Sequence, residues 1–126
     1  PDEASGEMRS QLIRHTKARD LTKLKVGALS LRSDYTIQFP DQARLPDARI
    51  PTFATFCAWA AQHPLLMLNV EVKSHAEQAD LYDPPEIIVS DVVDLLGKHN
   101  LCHRCILSSF DWRVLLACAK REPELT

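Results

Sequence analysis

The sequence predicts an α/β architecture, and two observations predict it. Beyond residue 50, apolar runs of helical period alternate with short Leu/Val-rich runs of strand length, in the order helix, strand, loop, helix, strand, helix. A helix of about four turns separates the two strand-like runs, the arrangement of parallel neighbours joined by a crossover. A third observation sets the scale. Two strands do not complete such a sheet, and a closed (β/α)8 barrel takes about 250 residues, against 126 here. The expectation is one incomplete domain over residues 1–126, about half of a larger fold, with 1–49 mostly loop and short helices and 50–126 in regular units.

The elements follow in order. Leu12 and Ile13, then Leu21 and Leu24, predict one or two short helices with modest apolar faces, among the breakers Gly6, Gly27, Pro40 and Pro46. Residues 28–49 read mostly as loop, with 34–39 as a brief extended piece that Pro40 ends. Pro51-Thr52 starts a helix with Thr52 as its cap, and Phe53, Phe56, Cys57 and Ala60 form its apolar face before Pro64 closes it. Residues 65–73 read as a strand and 74–83 as a polar loop.

Asp83-Pro84-Pro85 starts a second helix capped by Asp83, with Ile88, Val92, Leu95 and Leu96 on one face and Gly97 and Asn100 marking its decay. Residues 104–109 read as the second strand. Asp111 opens a third helix carrying Leu115, Cys118 and Ala119, and Pro123 follows it.

The most informative run is Leu68-Asn69-Val70-Glu71-Val72-Lys73. Side chains alternate across a strand, so Leu68, Val70 and Val72 share one face and Asn69, Glu71 and Lys73 the other. Strands of parallel sheets are normally apolar on both faces because helices cover both. Here one face is polar, so it must look into something wet or occupied, and at a barrel mouth that is where sites lie. Glu71 is a hard oxygen ligand for Mg²⁺ or Ca²⁺. Lys73 offers a point charge to phosphate, and Asn69 can orient either. The plainer alternative is a solvated face on which Glu71 and Lys73 merely pair.

Composition excludes several classes. Fifteen basic against 17 acidic residues leave a net charge of −2, so no positive field draws in nucleic acid or an anionic membrane. No apolar run approaches the roughly 20 residues that span a bilayer. Four cysteines are too sparse for a disulfide scaffold and leave the compartment open. Cys102 and Cys105 have C-x-x-C spacing, but zinc needs a second pair, and both read as small apolar fillers. The five histidines are scattered: His63 and His99 fall near helix ends, and His75 lies two residues past Lys73. Trp59 and Trp112 fall on helices and are expected to pack against neighbouring helices. Ser108 and Ser109 lack the Gly-x-Ser-x-Gly surroundings of an activated serine.

Three motifs in order carry a family resemblance. Arg49-Ile50-Pro51-Thr52-Phe53, then Leu68 to Lys73, then Ser108-Ser109-Phe110-Asp111-Trp112-Arg113 resemble the glycerophosphodiester phosphodiesterases. That family's pattern is an I-P-T helix start, a strand ending N-[IV]-E-x-K and a strand ending S-F-D. Lys25-Val26-Gly27 and the stretch from Tyr35 to Gln42 are similar to the segment before I-P-T in some bacterial members.

The resemblance implies a TIM (β/α)8 barrel, of which this chain is a central part. It implies a metal-dependent hydrolase that splits small-molecule glycerophosphodiesters into glycerol 3-phosphate and an alcohol. Carried across by motif, Glu71 matches a ligand of the divalent cation, Lys73 the lysine beside the phosphate, and Phe110 an aromatic near the substrate's glycerol end. The family's histidine pair and its other two acidic ligands belong to H-R-G, E-x-D and H-D motifs, none of which occurs here. The expectation is an internal piece with no catalytic residue of its own, inactive alone and marginal or oligomeric in isolation. The alternative is a non-catalytic α/β module that binds a phosphate-bearing ligand.

Overall fold

A computed structural model describes residues 13–28 and 34–125. Leu12 and Gly6 lie outside the described residues. The chain divides into two compact units, Pro1–Thr52 and Phe53–Thr126.

The first unit is held by backbone pairing, and none of its described residues is buried. A 3-10 turn at Ile13–His15 precedes helix α1 (Ala18–Leu21). Lys25 and Arg49 then form an antiparallel bridge, and the Val26 N–H donates to the Ala48 carbonyl at 3.1 Å. Gly27 sits where the chain passes close to itself: a Cβ there would run into the Leu45 carbonyl oxygen.

The piece expected to be extended, 34–39, is helix α2 (Asp34–Gln38). Its aromatic and β-branched residues favour a strand by propensity. Local pairing overrides that preference. The Phe39 N–H donates to the Tyr35 carbonyl at 2.9 Å, and the two rings stand 6.1 Å apart. Pro40 restrains Phe39, which already lies past the helix.

The second unit contains the sheet. Helix α3 (Phe53–Ala61) starts directly after Thr52 and buries Cys57 and Ala60, with Phe53 and Phe56 half-buried beside them. Strand β1 (Leu68–Glu71) is shorter than the predicted run. Residues 65–67 are a solvent-exposed turn and connection, in which the Leu66 N–H donates to the His63 carbonyl at 3.1 Å and not to a strand partner. The loop expected at 74–83 contains a kinked 3-10 segment, Ala76–Leu81.

Helix α4 (Pro85–Lys98) is capped by Pro84, not Asp83, with Pro85 at its first position, where a missing N–H costs nothing. Its inward stripe is Pro85, Val89, Val93 and Leu96, so that of the predicted face Leu96 is fully buried while Ile88, Val92 and Leu95 flank the stripe half-buried. At its C-terminus Asn100 adopts a left-handed φ of 54°. The Leu101 N–H reaches the Leu96 carbonyl at 2.9 Å and the Asn100 N–H the Gly97 carbonyl at 3.0 Å, a Schellman cap. Leu96 and Leu101 are both fully buried beneath it.

A 3-10 turn at Cys102–Arg104 leads into strand β2 (Cys105–Ser108), and helix α5 (Trp112–Arg121) closes the unit. The two strands pair in parallel, Leu68 opposite Cys105 and Glu71 opposite Ser108. The buried side of the sheet is Leu68, Val72, Cys105 and Leu107, and it shares one core with Val89, Val93, Leu96, Val114 and Cys118 of the helices. On α5 Val114 and Cys118 are buried in that core, Leu115 is half-buried and Ala119 is exposed. Trp59 and Trp112 are 47% and 78% exposed, so neither packs as predicted. All four cysteines are free thiols. No helix of the described residues is long and apolar enough to cross a membrane.

Candidate functional site

The face of the sheet away from the helices carries Asn69, Glu71, Ile106 and Ser108. Asn69 and Glu71 are exposed, and Ile106 remains 49% exposed. The alternation expected at 68–73 is therefore present, with Leu68 and Val72 buried and Asn69, Glu71 and Lys73 facing solvent.

Glu71 and Lys73 lie together. The Lys73 ammonium is 3.7 Å from Glu71 Oε2, with the two side chains 78% and 40% exposed. A pair this exposed is worth about 0–1 kcal/mol, so an arriving anion or cation separates it at little cost. Asn69 is oriented from the neighbouring strand: the Ser108 hydroxyl donates to Asn69 Oδ1 at 2.9 Å. Phe110, two residues past β2, is 88% exposed. His75 is exposed, its ring 5.8 Å from that of Tyr82.

Beneath these groups lies a hydrogen-bonded floor. The Val72 N–H donates to the Ser108 carbonyl at 2.8 Å, and the Ser109 hydroxyl donates to the Val72 carbonyl at 2.7 Å. The Ser74 hydroxyl donates to Asp111 Oδ2 at 2.9 Å. Asp111 caps α5, accepting the Arg113 N–H at 3.0 Å, and takes both Nε and Nη2 of Arg113 at 3.0 and 2.7 Å. The Arg113 guanidinium, with help from Ser74, holds the Asp111 carboxyl well below the ordinary carboxylate range. Asp111 was legible as a helix cap. Its reach back to Ser74 was not, because a contact between residues 37 positions apart leaves no local pattern.

A divalent cation takes six or more oxygen ligands and favours carboxylates. This face offers one carboxylate, Glu71, with a cation already beside it. No group of three or more His, Cys, Asp or Glu comes together among the described residues. These residues alone do not make a metal site; Glu71 fits a single ligand position.

No protein-family model and no curated protein matches the chain. A solved structure is similar. It is a protein of Silicibacter pomeroyi DSS-3 that carries the provisional designation glycerophosphoryl diester phosphodiesterase. The two are 28% identical with a TM-score of 0.73, over 85% of this chain and 36% of that one. This chain thus spans about a third of the length of the structure it resembles.

Proposed function

We propose that this chain is a segment of a glycerophosphodiester phosphodiesterase, part of a (β/α)8 barrel, and that the open face of its sheet is part of the wall of the active-site cavity. The observation that carries the reading is that face itself. A parallel pair with helices on one side and Asn69, Glu71 and Lys73 on the other, toward the carboxyl end of β1, suits the mouth of such a barrel, where sites lie. The motif order and the similar solved structure support the same reading.

Each residue then has a task. Lys73 presents its three N–H donors to a phosphoryl oxygen as a point charge. Glu71 is one of several ligands to a divalent cation, whose remaining ligands come from other parts of the enzyme; when bound, that ion neutralises charge on the phosphoryl oxygens. The exposed ring of Phe110 offers an apolar wall to the carbon end of the substrate. The proton-transfer histidines lie outside the three motifs present here.

The test is made in the enzyme that contains this segment. Glu71→Gln abolishes metal-dependent hydrolysis of a glycerophosphodiester, and Lys73→Gln raises KM sharply. Wild-type turnover in Glu71→Gln overturns the assignment. Phosphate binding at Lys73 without hydrolysis by that enzyme leaves the binding module as the correct reading.

A further inference from the structure

We propose that Ser74, Ser109 and Asp111 form a clamp that positions Lys73, with Asp111 as its anchor. The proposal rests on reading Lys73 as a phosphate contact and adds what holds it in place. A lysine places its charge at the end of a flexible four-carbon stem. The Lys73 side chain is 78% exposed, and the contact with Glu71 at 3.7 Å is a loose one. Little at the tip of the side chain restrains it, so its reach is set by where its backbone is held.

The backbone on both sides of Lys73 is tied to the segment after β2. On one side Val72 is held at both polar groups, through the Ser108 carbonyl and the Ser109 hydroxyl. On the other, Ser74 is held by Asp111. Asp111 is 2% exposed at its side chain and has its carboxylate filled by Ser74, the Arg113 N–H and the Arg113 guanidinium. Its own N–H donates to Ser109 Oγ at 3.1 Å, closing the network on itself. The clamp thus joins the ends of both strands and stands preformed before any ligand arrives, which lowers the ordering cost of binding. Ser74 and Ser109 are positioning residues: each acts through the backbone and need not touch substrate.

Nuclear magnetic resonance on the enzyme that contains this segment tests this in two readouts: the backbone order parameter at Lys73, and the Lys73 Nζ shift on titration with inorganic phosphate. The order parameter is expected near 0.85, the value of rigid backbone. Ser74→Ala and Ser109→Ala each lower it and weaken phosphate binding by roughly three- to tenfold, the scale of one hydrogen bond. Ser74→Thr restores both. An order parameter unmoved in both alanine variants overturns the clamp. An order parameter that falls while phosphate affinity holds overturns the positioning role. Lys73→Gln separates the two levels: unchanged phosphate binding there, or none in the wild type, overturns the phosphate reading of Lys73 and the positioning role with it, while the order parameters still judge the clamp.

Discussion

The guanidinium of Arg104 donates from Nη2 to the carbonyl oxygen of Ala60 at 2.7 Å, across 44 positions of chain. Its Nη1 reaches the carbonyls of His63 at 3.1 Å and Leu66 at 2.5 Å. One side chain therefore ties the end of α3 to the turn that leads into β1, adding to the backbone hydrogen bonds that the Ala60 and His63 carbonyls already accept.

Replacing Arg104 removes three charge-assisted hydrogen bonds at a residue that is only 8% exposed, although the Ala60 and His63 carbonyls keep the N–H groups of His63 and Leu66. Arg104→Met is expected to cost about 2–4 kcal/mol. Arg104→Lys recovers part of that, because one ammonium cannot reproduce the fork. Urea unfolding checks it, with a lowered midpoint and an unchanged slope.

Asp111 makes acid stability a local property. Its folded carboxyl titrates below the ordinary carboxylate value because Arg113 and Ser74 favour the charged form. A depressed folded pKa contributes stability that is whole above the unfolded value, about 3.9, and fades as pH falls below it toward the folded one. Asp111→Asn keeps an N-cap but loses the ion pair. The stability gap between wild type and variant is therefore expected to be constant near neutrality and to shrink below about pH 4, as followed by circular dichroism across an acid titration.

The thiols titrate in the opposite sense. Burial, reinforced by the neighbouring thiols, pushes Cys105 up to about 11, and burial also raises Cys57, Cys102 and Cys118. A folded value above the unfolded one contributes stability that is whole below about pH 8.5 and is lost as pH climbs toward the folded value. Alkylation at pH 8, read by mass spectrometry, is expected to modify half-buried Cys102 first, with Cys57, Cys105 and Cys118 reacting on unfolding.

Asn100 supplies a graded test of the α4 terminus. Its φ of 54° suits glycine better than any residue with a Cβ. Asn100→Gly is expected to be neutral or to stabilise by up to about 1 kcal/mol, and Asn100→Val to destabilise by about 1–2 kcal/mol. Thermal midpoints measure both.

Legibility in the sequence followed the range of the interactions involved. The alternation from Leu68 to Lys73 is strict, with a period of two, so the two faces could be assigned from local pattern alone. In α4 the apolar residues Ile88, Val89, Val92, Val93, Leu95 and Leu96 form a stripe too wide to show which edge points down, and of the four predicted inward only Leu96 is fully buried. Helix α2 is only five residues long, too short for a helical period to outweigh the extended propensity of its Tyr, Thr and Ile. The Arg104 contacts, and the Ser74 and Ser109 contacts that flank Lys73, join residues 37 to 44 positions apart, where no periodicity reaches.

The two-stranded order has one more result. Among the described residues each strand has a neighbour on one side and unpaired backbone on the other. Any added strand that kept the same inward and outward faces would shift in steps of two residues, about 6.6 Å. A newcomer docked one step out of place would carry its own side chains past the level of Glu71 and Lys73 altogether. Alignment at that seam thus decides which outside groups ever meet this carboxylate and this amine.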